Sequence, residues 1–227
     1  MTAPIFRRMI LPLLFGLIGA AFLAGLGLWQ LERQAWKEAI LADISARIVA
    51  DPVPLPAAPD PEADRYLPVA LSGRFTGEAL EVLVSRKEIG AGVRVIEVFE
   101  TASRRRILVD RGFVADDARL SPRGPDASEV VGNLHWPDEV DSYTPPPDPK
   151  TGLWFARDVA QMATRLGAEP LLVVARAPTA PGIEPMPVDT QGIPNNHLGY
   201  AVQWFGLAIV WLGMTAYLLW RIRRRTV

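Results

Sequence analysis

Leu198-Gly199-Tyr200-Ala201-Val202-Gln203-Trp204-Phe205-Gly206-Leu207-Ala208-Ile209-Val210-Trp211-Leu212-Gly213-Met214-Thr215-Ala216-Tyr217-Leu218-Leu219-Trp220 is a run of 23 residues in which only Gln203 is strongly polar. At about 1.5 Å of rise per helical residue it reaches roughly 35 Å, enough to cross a bilayer core of roughly 30 Å. A second apolar run, Ile10 to Trp29, supplies 20 residues near the other end of the 227-residue chain. These two runs decide the architecture, which is two transmembrane helices flanking one domain.

The flanks set the expected orientation. Arg7 and Arg8 precede the first run, and Arg221, Arg223, Arg224 and Arg225 follow the second. All 25 acidic residues lie between Glu32 and Asp189, which leaves that stretch with a net charge of −7. Positive flanks stay on the cytoplasmic side, so both termini are expected there and the large loop outside. The expected division is a cytoplasmic N-terminus (1–9), a first span (10–29), an external domain (30–196), a second span (197–220) and a cytoplasmic basic tail (221–227). Trp29 and Trp220 fall at water boundaries, where indole rings are favoured. The first run is longer than the apolar part of a signal peptide and no small-x-small cleavage site follows it, so it reads as an uncleaved anchor. The lack of an Arg- and Ser-rich presequence points to a bacterial inner membrane.

The chain has no cysteine. An external domain without disulfides must be stable through packing alone. Copper(I) delivery wants thiolates or clustered methionines, and the five methionines are scattered. A copper chaperone, a thiol oxidoreductase and a cysteine-based zinc site are therefore disfavoured. There is no Gly-rich phosphate loop, nucleophile elbow or His-x-x-x-His pair. With two histidines in all, most acid–base and zinc mechanisms lack material. The basic run Arg104-Arg105-Arg106 sits in an acidic domain and reads as a solvated turn, so no nucleic-acid partner is expected.

Beyond the first span the helical pattern continues through Val49, with Trp29, Arg33, Trp36 and Ile40 on one face. Asp51-Pro52-Val53-Pro54-Leu55-Pro56 ends it, and prolines continue to Pro61. Strand-like runs follow at Tyr66–Phe75, Leu80–Ser85, Val93–Glu100, Arg106–Val114, Val130–Trp136 and Leu171–Ala175. Their close spacing predicts an antiparallel sheet, curled or barrel-like, within an α+β fold. Leu153–Leu166 reads as a helix with Phe155, Val159, Met162 and Leu166 on one face, docked on the sheet through Trp154 and Asp158. Arg111-Gly112 reads as a strand with its glycine, and His135 as a packed or surface histidine.

In the second span His197, Trp204 and Trp211 are seven apart, as are Gly199, Gly206 and Gly213. The stripes lie on opposite faces. The glycine face is expected to pack against Gly16, Ala20, Ala24 and Gly27, with Gln203 near Gln30, and the histidine face to look outward. Two readings of His197 stand side by side. One is an interfacial histidine bonded to a loop carbonyl or water. The other is an axial haem ligand, with Tyr200 and Trp204 against the porphyrin. Arg33 and Lys37 are either solvated anchors or partners of haem propionates.

Several blocks carry a family resemblance. They are Gly27–Lys37, Gly73-Arg74-Phe75, Leu108–Val114, Leu153-Trp154 through Asp158, and Asn195–Ala208. In this order the chain resembles the surfeit locus protein family of cytochrome c oxidase assembly factors, over nearly its full length. Phe113 stands where that family usually has tryptophan. The resemblance implies a non-enzymatic role in maturing haem-copper oxidases, chiefly inserting haem a into the catalytic subunit, with His197 as the iron ligand. It also implies contact of the outer domain with that subunit or with the haem a synthase. The alternative is a haem-free membrane chaperone that stabilises an oxidase assembly intermediate.

Overall fold

The computed structural model describes residues 5–87, 89–119, 126–190 and 193–224, with side chains from Arg8 onward. Arg225 and the Arg7 side chain, both used above for orientation, lie outside the described residues. The chain divides into two compact units. One holds the first helix as far as Asp43 together with the last helix. The other is Ile44–Thr190.

In the helical unit, α1 (Ile5–Val49) runs without a break through the first apolar run and the amphipathic stretch beyond it. The last helix begins at His197 and ends at Arg224. Both are long and apolar enough to cross a membrane. Their packing reverses the expected faces. Ala201 and Ala208 are the buried residues of the last helix, whereas a Cβ added at Gly199, Gly206 or Gly213 would meet nothing within 4 Å. On α1, a Cβ at Gly16 would strike Thr215, one at Gly19 would strike Trp211, and one at Gly27 would strike Phe205. The α1 small stripe is thus a seam, as expected. What fills it is the bulky histidine-side face of the last helix, not its glycines. The reason is steric: a groove lined by glycine accepts large side chains, while two glycine faces would leave little to interdigitate.

The sheet unit is built from β1 (Val53–Pro54), β2 (Pro68–Arg86), β3 (Gly90–Thr101), β4 (Arg106–Ala115), β5 (Glu129–His135), β6 (Leu153–Trp154), α2 (Val159–Leu166) and β7 (Leu172–Ala175); the last helix is α3. The sheet is mixed. Among the described residues β2–β3, β2–β5, β3–β4 and β5–β7 pair antiparallel, while β1–β2, β2–β6 and β4–β7 pair parallel. The expectation of an antiparallel sheet is corrected to that extent. β2 pairs with β5 through Pro68–Ser72 and with β3 from Gly73 onward, so the path β2-β3-β4-β7-β5 returns to β2.

Two local expectations are also corrected. The runs at Tyr66–Phe75 and Leu80–Ser85 are halves of one strand, joined by an irregularity between Phe75 and Ala79 where Gly77 takes a φ of 83°. Leu153 and Trp154 form a strand, and the helix starts only at Val159. Asp158 caps it by accepting from the Gln161 amide at 2.9 Å, an interaction worth about 1 kcal/mol. Trp154 is buried, but from a strand, and Phe155 lies outside the helix, partly exposed.

Three apolar clusters of described residues lie against the sheet, the smallest being Val93, Val95, Val114, Ala180 and Ile183. Val69, Leu71, Phe99, Ile107, Val109, Val130, Leu134 and Val173 form another. Val82, Ile96, Val98, Leu108, Trp154, Met162 and Leu172 form the third, beneath α2. Alternate residues of β4 feed these last two clusters, as the two-residue period of a strand requires. The final turn of α1, Ile44–Val49, belongs to this unit. Its Ile48 carbonyl accepts from buried Asn133 Nδ2 at 3.0 Å, which satisfies one of the carbonyls a helix end leaves open.

Candidate functional site

His197 opens α3, and a half-exposed imidazole results. Its Nδ1 lies 2.7 Å from Oε1 of Gln30 on α1. A carboxamide oxygen can only accept, so with Oε1 as the partner Nδ1 is the donor, and Nε2 is the nitrogen turned away from that bond. This is the arrangement by which a neighbouring group fixes the tautomer of a ligating histidine. Gln30 is therefore the partner of His197 and not of Gln203, whose side chain is exposed on the glycine side.

The flank of the seam is aromatic. Trp204 is half-buried, two turns along the same face as His197, and Tyr200 is 52% exposed. Deeper, Trp211 meets Phe15 of α1 at 5.4 Å between ring centroids. Arg33 and Lys37 emerge on α1 beyond Gln30, as expected, but each has a local partner. The Arg33 guanidinium stacks 3.9 Å above the Trp36 ring. The Lys37 ammonium donates to the carbonyl of Pro194. Near these contacts the side-chain oxygens of Gln34 and Asn195 are buried, with no hydrogen-bond partner among the described residues.

The sheet unit holds a second concentration of ionisable groups, which the sequence reading missed. Asp110 and Arg111 are consecutive, so they point to opposite faces of β4. Asp110, its side chain fully buried, takes Arg94 at 2.7 Å and Arg157 at 3.1 Å. Arg111 is 2% exposed; it bonds Glu97, takes Asp126 at 2.5 Å and Thr179 at 2.8 Å, and stacks 4.0 Å over Phe75. Gly112 follows with a φ of 118°, and a Cβ there would meet the Glu184 carbonyl. Phe113 pairs with Glu184 in that gap. The available signal was an Asp-Arg pair inside the otherwise apolar run Ile-Leu-Val…Phe-Val.

His135 is packed, as expected, stacked on Tyr66 at 5.6 Å. Burial, and then the nearby Arg157 charge, lower its pKa from 6.5 to about 4. Arg105 and Arg106 are not free in solvent either. The first binds Glu169 through two nitrogens, and the second binds Glu78 at 2.7 Å. Among the described residues no group of three or more His, Cys, Asp or Glu side chains could hold a metal ion.

Comparison with known proteins covers most of the molecule. A model of the SURF1 family matches residues 17–209. A SURF1-like protein of Monosiga brevicollis is 32% identical over 86% of this chain and 82% of its own length. Surfeit locus protein 1 of Homo sapiens is 31% identical over 81% of this chain and 69% of its own. The rat protein of the same name is 28% identical over 87% and 71%.

Proposed function

Because the chain belongs to the SURF1 family, whose members are oxidase assembly factors and not catalysts, we propose that it holds haem a at His197 on the way into the catalytic subunit of a haem-copper oxidase. The observation that carries this is the Gln30–His197 hydrogen bond. It turns Nδ1 toward Gln30 and so leaves Nε2 as the ring nitrogen that would ligate iron. The donor set fits a haem: one fixed histidine, half-exposed, beside Trp204 and Tyr200. A bound haem would supply an iron held by His197. Gln30 orients the ring, and the single protein ligand favours release to the next binder. Arg33 is the cation with a face still open to a propionate; Lys37 would have to leave the Pro194 carbonyl first.

In this reading the protein sits in a bacterial inner membrane, with residues 10–29 and 197–220 as the spans. Arg8, Arg221, Arg223 and Arg224 hold both ends in the cytoplasm. Residues 30–196 form a barrel-like periplasmic domain that meets the catalytic subunit or the haem a synthase.

A haem-free chaperone is the second reading, and one observation favours it: the Gln30 bond already gives His197 a structural role. The two separate on haem content. Protein purified from cells that make haem a should carry haem with a Soret band, and His197→Ala should lose most of it. A variant that keeps its full haem and spectrum removes the ligand assignment and leaves the chaperone.

A further inference from the structure

An aromatic side chain recurs every seven residues along α1. Phe15, Phe22, Trp29 and Trp36 form the series, and each is more than half exposed. Arg33 and Ile40 fall on the same face, one turn beyond Trp29 and Trp36 respectively. This face is not the seam with α3, which runs through Gly16, Gly27 and Gln30. Of the series Phe15 leans on α3, against Trp211. Lipid is cover enough for Phe22, and Trp29 suits the water boundary.

Lipid does not reach the rest. With residues 10–29 as the span proposed above, Trp36 and Ile40 lie about 10 and 16 Å past the boundary along the helix. The headgroup layer is about 5–8 Å deep on each side. Even a tilt of about 40°, the steep end for membrane helices, would leave Ile40 about 13 Å out. An indole and an isoleucine are thus bare in water, on a stripe continuous with the membrane face. Arg33 lies between the two tryptophans. Its guanidinium stacks on Trp36 and, among the described residues, meets no carboxylate. Five N–H donors leave an edge for one, even where another edge holds a propionate. A cover for this stripe must be apolar, offer a carboxylate about one turn outside the bilayer, and follow a seven-residue repeat. A second helix supercoiled on α1 has these properties. We propose that Trp29, Arg33, Trp36 and Ile40 dock a transmembrane helix of the oxidase under assembly. That helix rises at least two turns above the membrane and carries Asp or Glu opposite Arg33. The inference rests on the proposed spans and not on the haem-holding reading.

The test places a benzophenone photo-crosslinker at position 36 or 40 of the full chain, in cells that assemble the oxidase. Positions 31 and 38, on the opposite face of α1, are the controls. Adducts should form at 36 and 40 with one transmembrane segment of an oxidase subunit, in a peptide with Asp or Glu within about one turn of the attachment point. They should be absent at 31 and 38. Trp36→Ala combined with Ile40→Ala should lower co-purification of that subunit by about tenfold or more, the scale at which a buried interface tryptophan counts. The thermal transition of the purified variant should match wild type, which shows that the fold is intact. Phospholipid adducts at both positions would mean that the span extends further than proposed, and the inference falls with it. Adducts with a second copy of this chain or with a membrane protein outside the oxidase overturn the docking while the spans stand. So does a double variant that co-purifies as well as wild type.

Discussion

Replacing Asp110 with asparagine should destabilise the sheet unit more than any single exposed charge change. The carboxylate is fully buried, with Arg94 at 2.7 Å, Arg157 at 3.1 Å and the Gly112 amide at 3.2 Å. Asparagine keeps the shape and one acceptor but removes the charge. Arg157 retains Glu139; among the described residues Arg94 retains the Met186 carbonyl at 3.1 Å, and its Nε has no partner there. Removing one partner of a buried pair costs about 3–5 kcal/mol, chiefly because the remaining charge is left desolvated. The isosteric change and the surviving Glu139 contact place this case near about 3 kcal/mol. At about 2–4 °C per kcal/mol for a domain of this size, Tm should fall by about 6–12 °C. Far-UV circular dichroism of the full chain in detergent reads the transition. Glu100→Gln is the control: its partner Arg74 is 77% exposed at the side chain, and the loss there should be below about 1 kcal/mol. Pairing Asp110→Leu with Arg94→Met should recover part of the deficit, since apolar replacements of buried ion pairs are often neutral. If Asp110→Asn costs no more than Glu100→Gln, the cluster is screened by solvent and the argument from burial is wrong.

Gln30→Leu should weaken haem affinity by about tenfold, the lower end for loss of a group that orients a ligand, because both side chains are half-buried; an unchanged Soret titration contradicts the assignment. Gly16→Leu and Gly27→Leu should destabilise the helical unit by about 1–3 kcal/mol through overpacking against Thr215 and Phe205, whereas Gly206→Leu should be near neutral. Helicity during thermal denaturation checks the order, and a more damaging Gly206→Leu would restore the glycine face as the seam. His135 is held neutral in the fold, with a pKa near 4 against 6.5, in a setting faced by Arg157, Arg94, Arg65 and Glu139. A base whose folded pKa is depressed contributes stability that is whole above about pH 6.5, declines as pH falls and is gone below about 4. Allowing for partial exposure, the amplitude is about 2 kcal/mol. His135→Phe should flatten that part of the stability–pH curve, and an identical slope in the variant would refute the burial of a neutral ring.

The two long helices were legible because twenty apolar residues in a row have few other uses. The ranges of β4 and β7 were legible because short β-branched runs between turn signals leave little choice. Other features depend on partners far away in the chain. The Phe75-Thr76-Gly77-Glu78 stretch looks like a turn, yet β2 continues through it because the residues on both sides of it pair with β3. Leu153 to Leu166 shows helical spacing throughout, but Leu153 and Trp154 gain more by pairing with Glu81 and Val82. The seven-residue stripes of α3 were read correctly as two faces and assigned to the wrong sides. Periodicity gives the angle between faces. Which of them turns inward depends on the shape of the opposing helix. At the rim, His197, Arg33 and Lys37 stood out by type. Gln30 was placed beside Gln203 and not beside His197, since an amide does not reveal its partner until its neighbours are known.

The consecutive Asp110 and Arg111 have one more consequence, for assembly of the sheet. Suppose β4 slipped by a single position during folding. Slipped one way, the carboxylate would take the guanidinium's place and meet Glu97; slipped the other way, the guanidinium would land between Arg94 and Arg157. A wholly apolar strand could tolerate such a misalignment, because valine and leucine fit either side. Here a slip in either direction would set like charges against each other out of water. The pair works as a two-sided key that fits the strand ladder in one alignment, which guards a chain without disulfides against trapping its long strands in the wrong frame.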